Sequence, residues 1–237
     1  MALILCLETA TEVCSVSLAL NGRILALRES SGPNVHSSRL TLFIEEVMTS
    51  AAHHLSGIDA VAVSMGPGSY TGIRIGVSTS KGLCYSLDKP LIAIPTLQSM
   101  ALGMKNSLSA IHYPSTGPSL LCPMIDARRM EVYTAIYNME LQTVRETEAR
   151  IIDETTFQKN LFTHFLFFAG TGAAKCKSFL SGYQNAFFLE DFNASAQFMA
   201  AFAEEKFNGK HFENIASFEP FYLKDFIAGK PRVKGLV

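Results

Sequence analysis

Between the apolar run Ile58 to Met65 and a segment of helical period, the chain reads Gly66-Pro67-Gly68-Ser69-Tyr70-Thr71-Gly72-Ile73-Arg74-Ile75-Gly76. Three glycines and a proline within seven residues suit neither a strand nor a helix interior, so they serve backbone shape. Gly accepts positive φ and lets another backbone come close, while Pro67 holds φ near about −65° and restricts Gly66 before it. The stretch therefore predicts a strand, a tight turn and a helix, with Ser69 or Thr71 as the cap. Two uses fit these residues. The free N–H groups of the first helical turn can hold a phosphate or carboxylate, with Gly66, Gly68, Ser69, Thr71 and Arg74 as contacts. Alternatively the glycines only allow close packing. The stretch is neither a P-loop, since no Gly-Lys-Ser/Thr closes it, nor a dinucleotide fingerprint, since no acidic partner follows at the next strand. Beyond the turn, Gly72, Gly76 and Ser80 recur four apart, which flattens one helix face for a close partner in the same chain or a second one.

Ahead of the turn, Leu3 to Leu7, Val13 to Leu20 and Arg23 to Glu29 are three short apolar strands, the last two joined by the hairpin signal Asn21-Gly22. From Ser37 the period becomes helical, with Leu40, Phe43, Ile44, Val47, Met48 and Ala51 on one stripe and Ser37 or Ser38 as cap. A strand over Leu91 to Ile94 and a helical segment from Pro95-Thr96 follow the turn. A meander with two strand–helix crossovers predicts an α/β chain built on a mixed sheet with helices on its faces.

The stretch Ser107 to Ser119, with Pro114, Gly117 and Pro118, divides the chain into residues 1–106 and 107–217, and residues 218–237 are expected to return to the first lobe. The second half opens as the first does. Leu120 to Ile125, the polar turn Asp126-Ala127-Arg128-Arg129, Glu131 to Tyr137 and a third strand near Leu141 to Arg150 echo the meander. Further on come a strand over Phe165 to Ala169, the turn Gly170-Thr171-Gly172 and a helix over Ala194 to Phe207. The basic residues Lys230, Arg232 and Lys234 stand near the end.

A net charge of −1 gives no general attraction to nucleic acid or anionic membrane, so an RNA partner needs a local basic patch. The five cysteines are widely spaced, mostly within apolar runs and without metal or redox spacing, which predicts buried thiols in a reducing cytosol. No signal peptide and no run long enough to span a membrane is expected.

The chemistry-bearing residues fall at strand ends. Glu8 and Asp126 stand at equivalent tips of the two halves and can face one cleft, or can simply hydrogen-bond locally. Arg128 and Arg129 lie between Asp126 and Glu131, which allows a local ion network or a phosphate contact. No nucleophile elbow accompanies the serines, and no base is placed for Cys14 or Cys84.

Four segments in combination carry a resemblance: Ile4-Leu5-Cys6-Leu7-Glu8-Thr9-Ala10, the glycine turn with Lys81-Gly82-Leu83, Asp126-Ala127-Arg128-Arg129-Met130-Glu131-Val132-Tyr133, and Pro220-Phe221-Tyr222-Leu223-Lys224. From the first strand to about Lys224 the chain resembles the TsaB family. The resemblance implies an actin-like fold of two ribonuclease-H-like lobes and a cytoplasmic, noncatalytic role without cofactor. The implied partners are the paralogue TsaD, the ATPase TsaE and, indirectly, tRNA. The task served is transfer of threonylcarbamoyl to the adenosine beside the anticodon; alone, the chain would be a homodimer.

TsaD holds its metal with two histidines, and the corresponding positions here are Thr96 and Met100, so no metal is expected. Where the family has Asp, this chain has Glu8. The expected partner surface is the pair of helices after Ser37 and after the glycine turn, through Leu40, Phe43, Ile44, Val47, Met48, Gly72, Gly76 and Ser80. A bulky charge at Gly76 or Ser80 is expected to break the complex and leave the monomer folded. The competing expectation is a stand-alone enzyme, a small phosphotransferase or a peptidase.

Overall fold

The computed structural model describes residues 2–109 and 117–224. Pro114 of the dividing stretch and the basic residues Lys230, Arg232 and Lys234 lie outside the described residues. β1 (Leu3–Glu8), β2 (Val13–Leu20) and β3 (Arg23–Ser31) form the expected antiparallel meander. Asn21 at φ +51° and Gly22 at φ +72° make its second turn, the left-handed pair that a two-residue hairpin requires. After α1 (Val35–Ser50), β4 (Ala60–Gly66) pairs parallel with β1. After α2 (Tyr70–Leu87), β5 (Leu91–Pro95) pairs parallel with β4.

Through α3 (Thr96–Leu108) the chain enters a second sheet that repeats the first. β6 (Ser119–Asp126), β7 (Glu131–Asn138) and β8 (Thr143–Ile151) form a meander. α4 (Gln158–Leu161), β9 (Phe165–Ala169), α5 (Ala173–Leu180) and β10 (Ala186–Leu189) add two parallel strands. The strand orders β3-β2-β1-β4-β5 and β10-β9-β6-β7-β8 are the same order written from opposite edges. Two mixed sheets of one topology, each flanked by helices, are the actin-like architecture. A 3-10 turn over Ala196–Met199 and α6 (Ala200–Asn208) complete the described elements.

Packing redraws the expected lobes. The central strands of the first sheet are buried on both faces, as parallel strands are, and need cover on each. One face is covered by α1 and α2. The other is covered by Ala196, Met199 and Ala203 against Ile4, Cys6, Ala62 and Ile94. Residues 196–208 were expected within the 107–217 lobe, and instead return to the first sheet. Conversely, α3 sets Leu97, Met100 and Met104 on Leu121, Ile125 and Phe167 of the second sheet.

α1 starts at Val35, behind Asn34 in the left-handed region at φ +57°, and so precedes the expected Ser37 or Ser38 cap. Those hydroxyls donate back to the Asn34 carbonyl at 3.0 Å instead. All five cysteines are buried and free.

Candidate functional site

At the glycine turn the cap is Ser69, whose Oγ accepts the Gly72 N–H at 3.3 Å while its carbonyl accepts the Ile73 N–H at 2.9 Å. The Ser69 N–H is itself taken, donating to the Ala10 carbonyl at 2.6 Å. The turn between β1 and β2 therefore lies directly on the start of α2, and the glycines make room for it. A Cβ on Gly68 would overlap the Ala10 carbonyl, one on Gly72 the Thr9 carbonyl, and one on Gly76 the Thr9 hydroxyl. His36, in the first turn of α1, closes over Gly72 and sets its Nε2 2.8 Å from the Thr11 carbonyl oxygen. The flat helix face is thus filled by this chain's own backbone.

The chain's last described residues cover the turn from the other side. The Phe221 N–H donates to the Met65 carbonyl at 2.8 Å. Gly66, at φ +114°, leaves room for the Phe221 carbonyl, which a Cβ would approach to 2.7 Å. Lys81 Nζ donates to the carbonyls of Ala216 and Phe218 at 3.2 and 3.1 Å. The Tyr222 ring lies 5.0 Å from that of Tyr70, and Lys224 pairs with Glu131 at the start of β7. This strap ties the first lobe to the second. Its sequence signal was an aromatic pair between Pro220 and Lys224, which marks packing without saying where.

Between the lobes runs a cleft of about 1130 Å³. It brings together Gly68, Ser69, Thr71, Asp126, Arg128 and Arg129 of the expected site residues. Arg74 is exposed beside it, with its guanidinium 4.5 Å from the Tyr70 ring centroid. Asp126 is a structural carboxylate: its Oδ1 accepts the Arg128 N–H at 2.6 Å and pairs with Lys175 at 2.5 Å. Lys175 also donates to the carbonyls of Arg129 and Glu131, at 2.8 and 2.5 Å. The ion pairs that Arg128 and Arg129 were expected to make with Asp126 and Glu131 are made instead by Lys175 and Lys224. Arg128 and Arg129, in the left-handed region at φ +70° and +50°, have no ion-pair partner among the described residues.

Glu8 does not share this cleft. It is fully buried, and its Oε1 accepts the Ala10 N–H at 2.6 Å. Burial pushes its carboxyl from 4.5 up to about 7, against the Ala10 N–H, which favours the charged form. A native pKa above the unfolded one means that the folded chain holds the extra proton. The resulting stability is full below about pH 4.5 and is lost as the pH rises through about 7, a change of about 3 kcal/mol. Glu8→Gln keeps an acceptor for the Ala10 N–H and is expected to flatten that decline in urea-denaturation curves. The same slope in the variant would assign it to another group.

Several expected partner contacts are core. Leu40, Phe43, Ile44, Val47 and Met48 pack with Ile73, Val77 and Cys84 under the first sheet. Gly72, Gly76 and Ser80 are buried as well, the glycines against Thr9 and Ser80 with no exposed surface. A helical stripe gives the apolar side, and here that side meets the sheet. A bulky charge at Gly76 or Ser80 would therefore disturb the fold itself. Outward on the same helices stand Leu42, Tyr85, which is 84% exposed, and Gly82, with open space around it. Thr96 and Met100 are fully buried, and Met100 Cε would stand 2.5 Å from a Cβ on Gly170.

Residues 33–228 match the model of the TsaD family, tRNA N6-adenosine threonylcarbamoyltransferase. The tRNA threonylcarbamoyladenosine biosynthesis protein TsaB of Escherichia coli strain K12 is 34% identical over 66% of this chain and 65% of its own length. The protein of that name from Haemophilus influenzae is 29% identical over 96% of this chain and 95% of its own. Among solved structures, YeaZ from Pseudomonas aeruginosa superposes with a TM-score of 0.80 at 25% identity, covering 94% of this chain and all of that one. The chain belongs to the TsaD family and, within it, to the TsaB group.

Proposed function

We propose that this chain is a noncatalytic partner subunit that binds TsaD and supports transfer of threonylcarbamoyl to the adenosine beside the anticodon of tRNA. The observation that carries this reading is the closed glycine turn. The Ala10 carbonyl takes the Ser69 N–H from one side and Phe221 packs on Gly66 from the other, so a phosphate would have to displace both. The TsaB names of the relatives support the same reading. TsaE as a further component, a homodimer when alone and a cytoplasmic location belong to the proposal. Among the described residues no helix is long and apolar enough to cross a membrane.

The docking surface is the outward side of α1 and α2, where Leu42 and Tyr85 offer apolar surface and Gly82 permits close approach. Tyrosine is enriched among the residues that dominate interfaces, each worth about 2 kcal/mol or more, roughly 30-fold in affinity. Tyr85→Asp and Gly82→Arg are expected to abolish copurification with TsaD at unchanged thermal stability. Wild-type recovery of TsaD by both variants would contradict the docking surface, and failure of the wild-type chain to retain TsaD would contradict the partner role.

A further inference from the structure

We infer that the mouth of the interlobe cleft is an RNA-contacting surface, in which Arg128 and Arg129 hold backbone phosphates and Phe221 and Tyr222 offer aromatic faces to unstacked bases. The inference rests on the partner-subunit reading and adds to it a direct contact with the tRNA.

Charge pairing is the first ground. With a net charge of −1 the chain as a whole does not attract a polyanion. Asp126 and Glu131 at the cleft are already neutralised by Lys175 and Lys224. Arg128 and Arg129 are exposed and have no carboxylate partner among the described residues, on a hairpin whose shape Asp126 and Lys175 hold fixed. A turn held in shape that presents two exposed guanidinium groups suits successive phosphate oxygens, since each fork can bind one in bidentate fashion.

Shape is the second ground. About 1130 Å³ of open cleft exceeds the roughly 300–1,000 Å³ of pockets that enclose small ligands. At the glycine turn the Ser69 N–H is already held by the Ala10 carbonyl, and Gly66 lies against the Phe221 carbonyl. A polymer passing across the mouth needs neither enclosure nor the glycine turn. Phe221 and Tyr222, 39% and 38% exposed, stand in the same lining as the two arginines, with Arg74 over Tyr70. Cationic groups beside aromatic rings are what single-stranded RNA uses, with bases stacking and phosphates paired. An acidic peptide would use the arginines and leave the rings without a role.

The test is fluorescence anisotropy of a labelled tRNA transcript with the complex of this chain and TsaD, over a salt series. Arg128→Asn with Arg129→Asn removes both charges, and Asn adopts the left-handed backbone readily. The double variant is expected to bind tRNA about tenfold or more weakly, with the slope of log affinity against log salt reduced by about 1.5. Copurification with TsaD is scored in the same preparations and is expected to be unchanged. An intact complex with unaltered affinity and slope would overturn the RNA surface. Loss of TsaD from the double variant alone would make the surface a protein contact and overturn it too. Failure of the wild-type complex to form would instead remove the partner reading on which the inference rests.

Discussion

Gly72→Ala lowers stability by about 2 kcal/mol or more, while Gly82→Ala, ten residues further along the same helix, raises it by up to about 1 kcal/mol. In an exposed helix interior, Ala is favoured over Gly because the unfolded chain loses freedom and the helix loses nothing. Gly82 is that case, since among the described residues a Cβ there meets nothing within 4 Å. At Gly72 the same methyl would overlap the Thr9 carbonyl, with the His36 ring 3.0 Å away on another side. Backbone cannot rotate out of the way, so the turn between β1 and β2 would have to lift from α2. Lifting it stretches the bond from the Ser69 N–H to Ala10. Gly76→Ala should fall between, because the group it meets is the Thr9 hydroxyl, which a rotamer change can move. Urea-denaturation midpoints order the three variants. Equal midpoints for Gly72→Ala and Gly82→Ala would show that the glycines do not serve this close approach.

That pair of glycines also marks where the sequence was legible. Glycine spacing and the serine beside it located the strand, the turn, the cap and a helix with one flattened face. Which backbone fills that face is decided by Thr9 and Ala10, about sixty residues earlier in the chain, a separation no local period reports. The stripe from Leu40 to Met48 was equally plain, and its periodicity could not say whether a sheet or a second protein covers it.

The repeated meander announced two lobes. The return of α6 to the first sheet depends on that sheet having a second apolar face, which short apolar strands do not distinguish from one-sided burial. At the second strand tip, Asp126, Arg128 and Arg129 are neighbours in sequence and share the lining of the cleft. Lys175 and Lys224, which settle their pairing, come from forty-nine residues on and from beyond the last described helix. Glu8, at a strand end, could by sequence face a cleft or hydrogen-bond locally; it does the latter, and the close turn after it seals it from solvent.

The largest functional effect expected is dependence of the transferase on this chain. A subunit whose glycine turn is closed by its own carbonyls contributes by binding, so removing it should leave TsaD intact and the modification absent. The direct measurement is threonylcarbamoylation of a tRNA transcript by purified TsaD and TsaE, supplied with threonylcarbamoyl-adenylate, with and without this chain, alongside ATP turnover by this chain alone. Modified adenosine only when the chain is present, and no ATP turnover by the chain alone, is the result expected. Full modification in its absence, or sustained ATP turnover by the isolated chain, would contradict a noncatalytic partner subunit.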